Sequence, residues 1–141
     1  MIIKQLSVFL ENKSGRLTDV TGALAAAQID ISAFSIADTA EFGVLRLIVA
    51  KPDEAFALLK GKGFSVHVTD VIALVVPHQS GGLHRALQIL SSAEISIEYM
   101  YAFALGDRAT VILRTDAPQH AITVLQEHKM ELLKASDIYE L

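Results

Sequence analysis

The chain has 141 residues, 52% of them apolar and none of them cysteine, and a formal net charge of −4 at pH 7. This length suits one domain of average size or two small ones. Without cysteine, disulfides, thiolate metal sites and cysteine nucleophiles are excluded, and a reducing cytoplasm is the simplest location. The acidic balance argues against nucleic acid as a partner, and no apolar run approaches the roughly 18 residues of a membrane span.

Strand and helix patterns alternate along the first half of the chain. The run IIKQLSVFLE is β-branched and aromatic, which is typical of a strand. A helix follows, with apolar residues at three- and four-residue spacing at Leu17, Val20, Leu24 and Ala27. The next strands are IDISAFSIA and GVLRLIVA, and Pro52 stands at the first position of a second helix. The strand FSVHV completes the order βαββαβ.

The second half repeats the first at an offset of 66 positions, without a gap. The offset aligns SGRL (14–17) with SGGL (80–83), QIDISAF with EISIEYM, and Pro52 with Pro118. Agreement over separated segments indicates an internal duplication. We therefore expect two domains, 1–70 and 71–141. The second would contain the strands VIALVV, ISIEYMYAF, ATVILRT and ELLKASDIYEL, with helices after the first and third.

The element order predicts an α+β fold made of two ferredoxin-like βαββαβ repeats. Each repeat would be an antiparallel sheet with both helices on one face. Strands such as 71–76 are apolar at alternating positions on both faces, so the other face should be covered as well. Pairing between the repeats or with a second chain would cover it, and we expect a homodimer.

The loop NKSGRL, between the first strand and the first helix, is a candidate binding site. The first N–H groups of a helix have no intrahelical acceptor, so a turn ending in Ser14 and Gly15 presents donors to a carboxylate. Asn12 can accept a hydrogen bond from an ammonium and donate one to a carboxylate, as an α-amino acid requires. The alternative is structural, with Asn12 shaping the turn and Ser14 capping the helix.

The loop pattern Asn-x-x-Gly-x-Leu, the βαββαβ order, the duplication and the IDI tripeptide together resemble the ACT domain, a small-molecule-sensing module of amino-acid metabolism. The resemblance covers the whole chain as a tandem pair and implies a ligand at an interface between two modules. It points to eight ligand-binding residues: Asn12, Ser14, Gly15, Arg16, Leu17 and, at the start of the second strand, Asp30, Ile31 and Ser32.

The second loop departs from the ACT pattern. His78 takes the place of Asn12 and Gly82 the place of Arg16, whereas Ser80, Gly81 and Leu83 are kept. The doubled glycine keeps backbone donors accessible to an anion, but the missing asparagine puts amino-acid binding there in doubt. A second site would use Gln79, Ser80, Gly81, Gly82 and Leu83.

We interpret the chain as a sensor that binds a free amino acid and acts through oligomerisation or on a separate metabolic enzyme. No catalytic set, cofactor motif or resident metal site is recognisable, so we predict that it is not an enzyme. One alternative is a metal-responsive protein that uses His78, His84 and His120, and another is a purely structural dimer. The sequence leaves the identity of the amino acid open.

Overall fold

The structure, a computed structural model, describes residues 1–11, 13–38 and 41–139. It contains two compact units, which we name after the repeat that supplies most of each. The first-repeat unit consists of Lys4–Thr69 and Ser136–Leu141, and the second-repeat unit of Met1–Ile3 and Asp70–Ala135. Each unit therefore includes a terminal segment from the other half of the chain. The domain ranges expected from the duplication, 1–70 and 71–141, stay a prediction.

The first-repeat unit has the predicted order of elements. These are β1 (Ile3–Glu11), α1 (Arg16–Ala26), β2 (Ile31–Asp38), β3 (Phe42–Val49), α2 (Pro52–Gly61) and β4 (Ser65–Pro77). Strand β1 lies between β3 and β4, and β2 forms the edge beyond β3. Both β1 and β2 pair with β3 in antiparallel orientation. Helix α2 begins at Pro52, whose missing N–H costs nothing at a first helical position.

The second-repeat unit repeats this order from the second half of β4. Its elements are α3 (Gly82–Ser92), β5 (Ile97–Leu105), β6 (Arg108–Thr115), α4 (Pro118–Glu127), β7 (Glu131–Leu132) and α5 (Ala135–Tyr139). Strand β4 lies between β6 and β7, with β5 at the edge beyond β6. Helices α3 and α4 begin and end 66 positions after α1 and α2. The predicted α+β fold of two ferredoxin-like repeats is confirmed.

Each unit has its own apolar core between the helices and one face of the sheet. In the first-repeat unit, alternate residues of β1, among them Leu6 and Val8, belong to the same buried cluster as Val20 and Leu24 of α1. The second-repeat unit has the matching core around Ile72, Leu74 and Leu90. None of the helices in the described part of the chain is long and apolar enough to cross a membrane.

Two predicted strand boundaries were wrong. The runs FSVHV and VIALVV form one continuous strand, β4, of 13 residues, because no glycine interrupts the chain between Ser65 and Pro77 and its proline comes last. At the other end, ELLKASDIYEL is a strand only over Glu131–Leu132 and then a short helix, and its last two residues lie outside the described part. Ala, Ser and Asp have low strand propensity, and the helix buries Ile138 fully.

Candidate functional site

The loop between β1 and α1 is a tight turn that ends in a left-handed glycine. The Lys13 N–H donates to the Glu11 carbonyl oxygen at 2.8 Å, and the Asp19 N–H donates to the Gly15 carbonyl oxygen at 2.9 Å. Gly15 has φ 90°, which only glycine adopts without a steric penalty. Gly15 is also the N-cap residue of α1, and among the described residues no side chain caps this helix. Ser14 therefore does not act as the helix cap.

The loop between β4 and α3 makes the corresponding backbone hydrogen bonds. The Gln79 N–H donates to the Pro77 carbonyl oxygen at 2.9 Å, and the Arg85 N–H donates to the Gly81 carbonyl oxygen at 3.0 Å. Gly81 has φ 86° and is the N-cap residue of α3. All of these positions follow their counterparts in the first loop by 66 residues, so the duplication extends to individual hydrogen bonds.

Gly82 marks the main steric difference between the two loops. A Cβ atom added at Gly82 would lie 2.4 Å from the Pro77 carbonyl oxygen, a distance that forces the backbone to shift. Arg16 occupies the equivalent position in the first loop and carries a long side chain there. The second loop therefore excludes any side chain at this position, which explains its doubled glycine.

A cavity of about 320 Å³, here called the first cavity, lies beside the first loop. It is lined by Phe9, Leu10, Glu11, Arg16, Phe42, Gly63, Phe64 and Ser65. These residues come from the end of β1, the start of α1, the start of β3 and the entry to β4. They meet because the first strand of a βαββαβ unit ends where its third strand and its last strand begin.

The charged groups of the first cavity have opposite signs. The Lys13 ammonium lies 3.0 Å from the Glu11 carboxylate, and the Arg16 guanidinium lies 3.8 Å from the Asp19 carboxylate. The hydrogen bond and charge of Lys13 hold the pKa of Glu11 below its ordinary value, and Arg16 adds a smaller effect in the same direction. The cavity thus presents an ionised acid and a guanidinium near aromatic walls.

A second cavity, of about 410 Å³, lies at the equivalent place in the second-repeat unit. It is lined by Val75, Pro77, Gln79, Ser80, Gly81, Gly82, Arg85, Lys129, Met130 and Glu131. Val75 replaces Phe9, Pro77 replaces Glu11, and Lys129 replaces Gly63 at the offset of 66. Arg85 and Lys129 give this cavity two cations beside one acid, Glu131, which forms an ion pair with Arg108.

The structure places the predicted ligand-binding residues in two regions. Ser14, Gly15, Arg16 and Leu17 lie together at the first loop, and Arg16 also lines the first cavity. Asn12 lies outside the described residues. Of the predicted second set, Gln79, Ser80, Gly81 and Gly82 line the second cavity, and Leu83 follows them on α3.

Asp30, Ile31 and Ser32 lie at the opposite end of the first-repeat unit from the loop. Ile31 pairs with Val49 at the end of β3, whereas Glu11, beside the loop, pairs with Phe42 at its start. The Ser32 hydroxyl is buried and has no hydrogen-bond partner among the described residues. Within one unit, therefore, these three residues and the loop do not form a common site.

The sequence analysis missed the aromatic and charged walls of both cavities. Phe9, Phe42 and Phe64 are far apart in sequence, and no short motif connects them. The predicted element order could have indicated these walls, because in a βαββαβ unit the end of β1, the end of α2 and the start of β3 lie at the same edge of the sheet. Aligning 63–65 with 129–131 at the same offset would have identified Lys129 as well.

Histidines give no sign of a metal centre in the described residues. Among them, no group of three or more histidine, aspartate or glutamate side chains is placed to hold a metal ion. His78 donates its backbone N–H to the Asp107 carbonyl oxygen at 2.7 Å, which ties the second loop to the turn between β5 and β6.

Comparison with known proteins identifies the family. A family model described as an ACT domain pair matches residues 1–141. The chain belongs to this family of paired ACT domains, as the loop motif and the duplication predicted. A comparison with curated proteins finds no match.

Solved structures extend this result. The chain is similar to the crystal structure of protein BT0572 from Bacteroides thetaiotaomicron, with 49% identity, a TM-score of 0.97 and coverage of 100% of this chain and 98% of that one. It also resembles the regulatory subunits of aspartate kinase from Thermus thermophilus and Thermus flavus, at 17% and 15% identity with TM-scores of 0.65 and 0.63. These two alignments cover 88% of this chain and 91% and 90% of those subunits, and they establish a shared fold.

Proposed function

We propose that this chain is a regulatory protein that binds a free amino acid at the first loop. The observation that carries the proposal is the turn at Gly15, where a helix begins without a side-chain cap from the described residues. Its first N–H groups lack intrahelical acceptors and carry the positive end of the helix dipole, so they suit a carboxylate. Membership of a family of paired ACT domains supports the same role.

The ligand would lie between two modules. Asn12, Ser14, Gly15, Arg16 and Leu17 would supply the loop side of the site, and Asp30, Ile31 and Ser32 the strand side. Because the strand residues lie at the far end of their own unit, a ligand that contacts both sets needs the loop of one module and the strand of another. In this arrangement the carboxylate of Asp30 would pair with the ammonium of the ligand.

Binding of the ligand would change the contacts of this chain with other protein chains, and this chain would not catalyse a reaction. We infer a cytoplasmic homodimer that needs no cofactor and does not act as an enzyme. Two Thermus neighbours are regulatory subunits of aspartate kinase, and by analogy this chain would act on a separate metabolic enzyme. A ligand shifts the equilibrium between two states of a protein only to the extent that its affinities for the two states differ.

A thermal-shift screen of the twenty amino acids tests the proposal. It uses the native protein with Asn12→Ala and, at the matched position of the second loop, His78→Ala. A ligand that binds only the folded state adds about 2.7 kcal/mol of stability at a hundredfold excess over its Kd. We expect a shift for one chemical class that Asn12→Ala loses and His78→Ala keeps. No shift for any amino acid would refute the proposal, and bound metal lost in His78→Ala would favour the metal-responsive alternative.

Light scattering with and without the stabilising amino acid tests how occupancy is transmitted. We expect either a change in oligomeric mass or, at constant mass, a change in affinity for a partner enzyme. The purely structural alternative predicts a dimer whose mass and stability are the same with every amino acid.

A further inference from the structure

We propose that the second cavity is a binding site for a small organic phosphate, the monoester of a short carbon skeleton. Arg85 and Lys129 bind the phosphate group, and the carbon skeleton lies against Val75 and Met130. This site differs from the proposed amino-acid site in its loop, its charges and its ligand class. The chain would therefore respond to two chemically different metabolites.

The two cations of the second cavity are available to a ligand. Arg85 lies in the first turn of α3 and Lys129 between α4 and β7, and both line the cavity. Within the part of the chain that the structure describes, neither side chain forms an ion pair with a carboxylate. Because the whole chain has a formal net charge of −4, two unpaired cations at one cavity are a local exception.

The one acid of the cavity already has a partner within the chain. Glu131 lines the cavity from β7, and its carboxylate forms an ion pair with the guanidinium of Arg108 at the start of β6. Arg108 itself lies outside the lining residues. An α-amino acid requires an acid for its ammonium, whereas Glu131 is paired. The cavity therefore favours an anion that carries no ammonium.

A phosphate monoester has the charge and the acceptors that these side chains require. A phosphate monoester carries about −1.5 to −2 charges at pH 7 and has three strong acceptor oxygens. The Arg85 guanidinium can bind two of these oxygens through parallel N–H donors, and the Lys129 ammonium acts as a point charge. Gln79 and Ser80 also line the cavity and carry neutral donors. A carboxylate, with a single charge, leaves one of the two cations without a partner.

The size of the second cavity leaves room for a carbon skeleton beside the phosphate. Its volume of about 410 Å³ lies within the roughly 300–1,000 Å³ typical of small-molecule pockets. The apolar part of its wall comes from Val75, Pro77 and Met130. A short carbon chain would remove this apolar surface from water, so the monoester should bind more tightly than inorganic phosphate.

The pair of cations belongs to the second repeat alone. At the offset of 66, Arg85 corresponds to Asp19 and Lys129 corresponds to Gly63. The first-repeat unit therefore has an acid at one of these positions and no side chain at the other. The proposal predicts one organic phosphate per chain, bound in the second-repeat unit.

Titration calorimetry on the native protein tests the ligand class. The probes are glycerol 3-phosphate, inorganic phosphate, acetate and glycerol, all in sodium chloride at constant ionic strength. We expect one glycerol 3-phosphate per chain, weaker binding of inorganic phosphate, and no detectable binding of acetate or glycerol. No binding of either phosphate, or acetate bound as tightly as glycerol 3-phosphate, would overturn the proposal. Equal affinities for the two phosphates would overturn the role of the apolar wall.

Lys129→Gly and Arg85→Gln test the two cations. Lys129 has φ 58°, which glycine adopts freely, so Lys129→Gly removes the charge without straining the backbone. Each substitution should weaken the binding of glycerol 3-phosphate by about tenfold or more, because a charge-assisted hydrogen bond is lost. Lys62→Gln is the matched control, since it removes a positive charge at the end of α2, outside the second cavity, and should keep the native affinity. Circular dichroism checks folding.

Arg108→Gln tests whether the Glu131 carboxylate must be paired for an anion to bind. The substitution leaves this carboxylate without its partner beside the phosphate, so we expect weaker binding although Arg108 does not line the cavity. The double variant Arg108→Gln, Glu131→Gln should recover the native affinity. A loss that persists in the double variant would contradict this role.

The outcomes separate this inference from the proposed amino-acid site. Asn12→Ala should bind glycerol 3-phosphate as tightly as the native protein does, because the first loop contributes nothing to the second cavity. Binding that survives both Arg85→Gln and Lys129→Gly, or that is lost in Asn12→Ala, would overturn the site. A failure of this kind leaves the amino-acid sensor intact, since the thermal-shift screen tests that function with different ligands.

Discussion

The two loops make the same backbone hydrogen bonds and keep the same serine, glycine and leucine, but they differ at every position that carries a charge in the first loop. Both turn through a left-handed glycine and make the same hydrogen bonds at an offset of 66 residues. The first carries Glu11 and Arg16, whereas the second has Pro77 and Gly82 at these positions. After duplication, the backbone of a loop is preserved by its hydrogen bonds and its glycine, while the side chains are free to diverge.

The cavities beside the loops show the same divergence in their charges. The first has one acid and one guanidinium next to three phenylalanines, and the second has Arg85, Lys129 and Glu131 with no aromatic residue. A duplicated scaffold therefore does not imply a duplicated ligand. Function has to be argued for each loop from its own side chains.

The largest expected effect tests whether the two cores are equivalent. Leu24 and Leu90 occupy matched positions on α1 and α3, and both are buried. We expect Leu24→Ala and Leu90→Ala each to lower the free energy of unfolding by about 2–5 kcal/mol, through lost apolar contacts and the cavity left behind. Urea unfolding followed by circular dichroism measures this. Leu17→Ala, at an exposed position of α1, is the control and should change stability little; very unequal costs for the two buried leucines would break the equivalence.

The next effect concerns the steric difference between the loops. Gly82→Ala should destabilise the protein by about 1–3 kcal/mol, because the new Cβ would meet the Pro77 carbonyl oxygen. Gly22→Ala is the matched control within α1, where nothing lies within 4 Å of an added Cβ. It should stabilise the protein by about 0.5–1 kcal/mol through helix propensity. If urea unfolding gives both substitutions the same sign, the close approach at Gly82 is wrong.

A smaller effect tests the shared backbone. Gly15→Ala and Gly81→Ala both place a Cβ on a residue with φ near 90°, although space is free around each. We expect each to cost about 1 kcal/mol, from the strain of a left-handed residue alone. Equal losses in urea unfolding would sharpen the view that the turns are the same; a loss at only one glycine would contradict it.

The smallest effect is a pH dependence that only the first loop has. Because Lys13 lowers the pKa of Glu11 in the folded protein, this carboxylate stabilises the fold above its ordinary pKa of 4.5. The contribution is lost as the pH falls through the lowered folded value. Glu11→Gln should therefore reduce stability at pH 7 and have progressively less effect below pH 4.5. Urea unfolding of both proteins from pH 7 to pH 3 measures the difference, and a constant difference would argue against the ion pair.

The duplication made most of the fold predictable from the sequence. Two kinds of local signal are not overridden by neighbouring residues: the prolines that begin α2 and α4, and the glycines in the left-handed conformation. These local signals did not predict that FSVHV and VIALVV join into β4. The polar residues Thr69 and Asp70 suggested a break between the two runs, but the strand continues through them. The helix at the C-terminus was missed because its stability comes from burying Ile138, which is a tertiary effect.

The candidate site was only partly predictable. A contiguous motif identified the first loop, and Arg16 turned out to line a cavity. Phe9, Phe42 and Phe64 approach each other only through strand pairing and a turn, so no periodicity in the sequence marks them. The roles of Asn12 and of the strand residues from Asp30 to Ser32 stay predictions.

The terminal segment from Ser136 onward has a consequence for how the protein is made. It belongs to the first-repeat unit, buries Ile138, and accepts the Lys4 N–H at the Tyr139 hydroxyl, 2.8 Å away. At about 5–20 residues per second, a ribosome needs roughly 4–14 s to add the 70 or so residues that separate this segment from the first repeat. Throughout that interval the nascent first repeat lacks a piece of its own structure. Its completion therefore waits until the residues from Ser136 onward have been added, and a chain that stops before Ser136 has every residue of the second-repeat unit but not of the first-repeat unit.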